Sequence, residues 1–266
     1  MSAGGEPRAP GPVVAVTAIA VNTFREAIRD RILYLLLFFS LLLIAGSRFL
    51  SFITVGDEEK IVKDLGLSAI AVFGILTSVF VGASLVFKEI EKKTLYTLLA
   101  SPVRRWHFVA GKYLGFMTVL AINVSLMTAA LFFLLLARGE APWGLVPAVV
   151  LTLVQLALVT AFAILFSSLT NPVLSAVGTL SVYVVGHLSW SFDLLRGRLP
   201  PGLARRLCDV VHSLLPSLDR LDVKMQVVHG LPLPHGYLLL GIGYGVCYSL
   251  VVLVLACLIF ERRDFV

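Results

Sequence analysis

The chain has 266 residues and a formal charge of +6, with 58% hydrophobic and only 14% charged residues and a mean hydropathy of +0.94. Soluble domains carry about 25% charge, because their own exterior needs it. That composition excludes a water-soluble enzyme, and it equally excludes a disordered chain, which would be poor in apolar residues.

A helix needs roughly 20 apolar residues to cross a bilayer. Such runs fall at about 32–55, 67–87, 113–137, 145–169, 173–192 and 237–260. They do not alternate as barrel strands do. The expected fold is therefore an all-α polytopic membrane protein, one transmembrane domain over 1–266 with six spans. Met1–Pro12 is Gly/Pro-rich and runs on without a small-residue cleavage pattern, so no cleaved signal is expected.

Ahead of the first span, Val13–Arg31 is amphipathic. Asn22, Arg25, Glu26 and Arg29 share one face, while Val16, Ala20, Phe24 and Ile28 take another. This is the pattern of an interfacial helix that turns into the first span, or of a simple extension of that span.

The segment after the second span reads Lys88 to Lys112. Glu89 and Lys93 form a favourable i,i+4 pair. Ser101-Pro102 is a helix-start signal. Between them, Thr94–Ala100 displays Leu95, Tyr96, Leu98 and Leu99 with a basic rim. These side chains form either a docking surface or a patch that lies back on the bilayer.

Within the spans the polar residues are neutral. Ser175, Thr179, Tyr183 and His187 step by four along one face of the fifth span, and Asn123 and Gln155 place carboxamides in the third and fourth. They suit a weakly polar pathway, a dimer seam, or plain interhelical hydrogen bonding. Gly74, Ser78 and Gly82, like Gly241, Gly245 and Ser249, are small-residue ridges for close packing. Between spans five and six, 193–236 is too long for a simple connector. Leu203, Leu207, Val210 and Leu214 mark an amphipathic extracytoplasmic helix from Pro201, followed by a return through Pro216, Pro232 and Pro234.

Chemistry is scarce. Gly111-Lys112 is followed by Tyr113 and lacks the glycine-rich loop and the Ser/Thr of a phosphate-binding loop. The five histidines make no His-Glu-x-x-His set. Cys208, Cys247 and Cys257 have no disulfide or zinc spacing. No span holds an interior Asp or Glu, the usual currency of ion-coupled transport. No catalytic, cofactor or metal site is expected in this chain, so any energy source lies elsewhere. By total, the positive-inside rule divides the 22 Lys and Arg almost evenly. Clusters at helix ends, from Lys88 to Lys112 and at Arg262-Arg263, favour both termini on the cytoplasmic side.

Three segments carry a resemblance: Asn22–Arg31, Glu89–Gly115 with its Thr-Leu step, Leu-Leu-x-x-Pro break and Gly-Lys-Tyr return, and Phe260–Phe265. Together they resemble the permease subunits of ABC-2 exporters, closest to the multicopper-enzyme maturation branch. Lys92-Lys93 stand before Thr94 where many members carry Gly. The resemblance implies an exporter in the cytoplasmic membrane built from two permease copies, and no nucleic-acid partner. It also implies a separate ATP-binding subunit, which holds ATP and Mg and docks on the loop carrying Glu89, Glu91, Thr94, Leu95, Leu98, Leu99, Pro102, Arg104 and Arg105. A scaffold or assembly factor of the same fold, without transport, is the alternative. No Met-, Cys- or His-rich ligand set supports a copper cargo.

Overall fold

The computed structural model describes residues 11–51, 58–85, 105–189 and 215–262, and every regular element among them is helical. In chain order these are α1 (Pro12–Ile28), α2 (Arg31–Ser51), α3 (Glu58–Ser84), α4 (Arg105–Leu136), α5 (Val146–Leu169), α6 (Pro172–His187), α7 (Lys224–Val228) and α8 (Tyr237–Arg262). Short 3₁₀ turns at Pro142–Leu145 and Leu218–Leu221 precede α5 and α7.

Five of these helices are long and apolar enough to cross a bilayer: α2, α3, α4, α5 with its leading turn, and α8. The sixth expected span is α6, a shorter apolar helix of 16 residues. At 1.5 Å per residue it is about 24 Å long, and the last residues expected in it, 190–192, lie outside the described residues. α4 is the opposite case. Its 32 residues make about 48 Å, so it outruns the hydrocarbon core and begins eight residues before the expected Tyr113. α3 likewise begins at Glu58 rather than Leu67.

The order of burial inverts that of a soluble bundle. α5 is buried round most of its surface and forms the axis, enclosing Leu151, Leu156, Leu158, Val159, Ala161 and Ile164 together with polar Thr152, Gln155 and Thr160. α2 buries Leu33, Leu36, Ser40, Ile44 and Ser47 at three- and four-residue steps while exposing Phe38, Phe39 and Leu42. α8 exposes Leu239, Leu250, Val254 and Leu258. Outward apolar stripes of this kind face lipid in a membrane protein.

Small residues let the backbones meet on α5. A Cβ at Gly74 of α3 would lie 2.7 Å from Leu156, and one at Gly82 would lie 3.0 Å from Ala163. Between them, Thr160 Oγ1 donates to Ser78 Oγ at 3.4 Å. The α8 ridge does the same: Cβ atoms at Gly241 and Gly245 would lie 2.8 and 2.2 Å from Leu151 and Val154. Both ridges read from the sequence therefore pack on one helix. The α5–α6 corner is set by Asn171, whose Oδ1 caps α6 by accepting from the Leu174 N–H at 2.9 Å ahead of Pro172.

The segment 215–228, expected as a plain return, enters the bundle. Leu218, Leu221, Val223 and Val228 join the main core beside Leu145, Leu151 and Ile70. Gly186 of α6 allows this, because a Cβ there would lie 2.8 Å from the Pro216 carbonyl. The expected helix at 201–215 falls almost wholly outside the described residues.

Candidate functional site

At one end of the bundle, α1 lies against the start of α4. The packed spine of α1 is Ala15, Ile19, Thr23 and Ala27, with Ala15, Thr23 and Ala27 fully buried. That spine is one residue out of register with the apolar face expected from the sequence. The reason is on α4, where Gly111 and Gly115 form a one-turn notch. A Cβ at Gly111 would lie 2.7 Å from Ile19 Cβ and 3.0 Å from the Val16 carbonyl, and one at Gly115 would lie 2.4 Å from the Ala20 carbonyl. Glycine here permits backbone-to-backbone approach, so small residues rather than large ones line the contact.

Lys112 stands between the two glycines and is wholly enclosed. Its Nζ lies 3.2 Å from Glu26 Oε2 and 5.8 Å from the centroid of the Phe108 ring, within cation–π range. A charge enclosed this way requires a partner of opposite sign. Glu26 therefore leaves the polar face assigned to it from the sequence and turns inward, while Arg25 and Asn22 remain exposed. Phe108 stacks on Phe260 at 5.6 Å between centroids, which ties the end of α8 to the same place. α1 ends at Ile28 with Arg29 capping it, and Asp30 Oδ1 accepts from the Ile32 N–H at 3.0 Å to start α2. The three segments that carry the family resemblance thus converge: the elbow through Glu26, the start of α4 through Phe108 and Lys112, and the end of α8 through Phe260. Of the loop residues singled out from the sequence, Glu89, Glu91, Thr94, Leu95, Leu98, Leu99, Pro102 and Arg104 lie outside the described residues. Arg105 opens α4.

The α6 stripe turns inward. Ser175 Oγ donates to the Ala163 carbonyl of α5 at 3.2 Å, and Thr179 Oγ1 donates to the Ser175 carbonyl at 2.7 Å. Both are buried inside the chain, and the exposed side of α6 is Val173, Leu174, Val177, Leu180 and Val184. The Tyr183 ring lies 5.0 Å from that of His187. Gln155 meets the stripe at its far end, where its Nε2 is 3.2 Å from His187 Nδ1. His187 Nε2 is in turn 3.1 Å from Asp222 Oδ2, and Lys224 Nζ is 3.3 Å from the same oxygen. With Gln155 donating to Nδ1, Nε2 carries the hydrogen given to Asp222. Burial pushes the Asp222 carboxyl up, but the His187 hydrogen bond and the Lys224 charge and N–H outweigh it and hold the group below the usual carboxylate range. Ser189 donates to Asp219 beside it. Asn123 does not join this chain and instead faces α1 and α2 from α4.

Neither the Lys112–Glu26 pair nor the His187–Asp222 pair is legible in the sequence. The partners are 86 and 35 residues apart, and only the elbow and the α6 stripe, each read alone, hinted at either.

The family model described as ABC-2 family transporter protein matches residues 17–265, nearly the whole chain. The chain belongs to the ABC-2 transporter family. No curated protein matches it at significance. The permease is accordingly a multi-pass membrane component of a transporter, of a kind that generally works with an ATP-binding partner.

Proposed function

We propose that this permease is the transmembrane subunit of an ATP-driven exporter in the cytoplasmic membrane, with both termini inside and two copies per transporter. A separate subunit binds ATP and Mg and docks on the loop between α3 and α4, through Glu89, Glu91 and the apolar group Leu95, Leu98 and Leu99. The observation that carries this reading is the convergence at the start of α4. Family membership supplies the class of machine. The Gly111–Gly115 notch and the Glu26–Lys112 pair supply a stiff lever directly after the loop. A push on residues 88–104 would reach Arg105, move α4, and carry α1 and the end of α8 with it as one body. The lack of Asp or Glu in the apolar interior of the spans read from the sequence favours an external energy source.

The test is co-purification and ATP turnover with the ATP-binding subunit. Glu89→Lys with Glu91→Lys, or Leu98→Asp, should reduce turnover to the level of the isolated ATPase while the permease still elutes as a folded particle. Unchanged turnover and co-purification in these variants would reject the docking site. For orientation, single cysteines placed along Leu203–Leu214 should react with an impermeant thiol reagent in intact cells. Labelling from the cytoplasmic face alone would reverse the topology.

A further inference from the structure

Between the α1–α2 elbow and α4 lies a cavity of about 170 Å³. Its walls are Phe24 and Ile28 of α1, Leu33 and Leu37 of α2, and Val119 of α4. Its mouth is formed by Tyr34, Ile122 and Leu126, all exposed on the outward face of the spans. The cavity therefore opens sideways, toward lipid. One polar side chain of α4 lines this apolar hollow: Asn123, which is 4% exposed and whose Oδ1 has no hydrogen-bond partner among the described residues.

An amide oxygen buried without a partner is costly, and in a bilayer it is not relieved by bulk water. A trapped water is poorly held there, since a buried water typically makes about three hydrogen bonds and the lining side chains offer only Asn123 and, at the mouth, the Tyr34 hydroxyl. The volume is close to the ~150 Å³ of an apolar cavity that holds benzene. It takes one ring or a short length of chain, and the open side lets the remainder extend into the bilayer. Asn123 lies about three turns along α4 from Lys112, behind a largely apolar mouth on the outward face of the spans. A charged or strongly polar headgroup would not reach it without cost. A hydroxyl would, and it matches the site in either orientation of the carboxamide because it both donates and accepts.

We propose that this groove binds a membrane-soluble alcohol, an apolar molecule whose hydroxyl donates to Asn123 Oδ1 while its body fills the space between α1, α2 and α4. The site is independent of the docking loop and of the α6 stripe. Its occupant would brace the elbow against α4 from the lipid side.

The test uses the full-length permease, purified and reconstituted in phosphatidylcholine vesicles, with octanol carrying a diazirine on its chain as the photoprobe. Labelling should saturate, map by mass spectrometry to the peptides around Leu37 and Leu126, and be competed by octanol better than by octane. Asn123→Leu, which keeps the volume and removes the acceptor, should weaken labelling about five- to tenfold, the worth of one hydrogen bond to a buried group. It should also abolish the preference for octanol over octane. Ile122→Trp changes an exposed lipid-facing position and narrows the mouth, so it gives the same loss where the Asn123 variant does not fold. Competition by dioleoylglycerol as well as octanol would assign the site to a bilayer lipid, and competition by octanol alone to a small alcohol. Unsaturable labelling, equal competition by octane, or labelling unchanged in Asn123→Leu and Ile122→Trp would each overturn the proposal.

Discussion

Glu26 and Lys112, on different helices and 86 residues apart, hold each other at 3.2 Å with the ammonium wholly enclosed. The carboxylate retains 29% of its exposure, so the two halves of the pair are not equivalent. Glu26→Gln removes the Glu26 carboxylate from an ammonium that stays enclosed in the bundle. Lys112→Met removes the enclosed charge and leaves a carboxylate that reaches water. Glu26→Gln should therefore be the more damaging, by about 2 kcal/mol, typical of a hydrogen bond to a charged group. For a chain of this size that corresponds to a fall in Tm of about 4–8 °C. The double variant should recover part of the loss. Thermal melts of the purified permease in detergent check both the order and the recovery, and equal, additive losses would contradict the pairing.

The glycine notch makes a sharper prediction. Gly115→Ala directs a methyl group to 2.4 Å from the Ala20 carbonyl, a backbone atom that cannot rotate away. The helices must separate, at a cost of about 1–3 kcal/mol for overpacking. Gly46→Ala has nothing within 4 Å and should be neutral or slightly stabilising, since alanine favours a helix by roughly 0.5–1 kcal/mol over glycine. Limited proteolysis should cut α1 faster in Gly115→Ala and at the original rate in Gly46→Ala.

The spans were readable because the bilayer imposes one rule on every helix, that about 20 consecutive residues be apolar. The ridges Gly74–Ser78–Gly82 and Gly241–Gly245–Ser249 were readable because small residues at four-residue steps fit helix packing and little else. What they pack against was not: the sequence does not say that both meet α5. The packed spine of α1 differs by one position from the face its amphipathicity predicts, since amphipathicity locates the polar side but not a notch on a neighbouring helix. Gly111-Lys112 is recognisable in the sequence only as a failed phosphate loop, and the role of Gly111 and Gly115 depends on Val16, Ile19 and Ala20 far upstream. The inward course of 215–228 was hidden because its apolar residues are spaced among Asp219, Arg220, Asp222 and Lys224, which in a linear reading mark a solvated loop.

Asp222 gives a pH dependence. It lies outside the spans, with His187, Lys224 and Tyr183 as titratable groups around it. Its native carboxyl lies below the ordinary 3.8, so the unfolded chain takes up its proton first as pH falls. The stabilisation is fully present above 3.8 and is lost as pH drops through the lower native value. Asp222→Asn should consequently melt below the wild type at neutral pH, and the gap should close in strong acid. Melts at about pH 7 and in steps downward from 3.8 read this directly. A gap that widens in acid would reverse the sign and place the carboxylate in an unfavourable setting.

The last prediction concerns the α6 stripe, which the sequence leaves open between a pathway, a dimer seam and internal bonding. Ser175 and Thr179 are buried, and their hydroxyls are spent on the Ala163 and Ser175 carbonyls. A residue so placed meets no solvent while α5 and α6 stay together. Thr179→Cys, in a background lacking Cys208, Cys247 and Cys257, should resist an impermeant thiol reagent with or without ATP turnover by the partner. Gln155→Leu removes the carboxamide that His187 meets, and it should cost about 0.6 kcal/mol, the average for interhelical hydrogen bonds in membranes. Transport should survive both changes. Reaction of the cysteine at 179 that appears only during turnover, together with lost transport in Gln155→Leu, would instead make the α5–α6 seam part of the route.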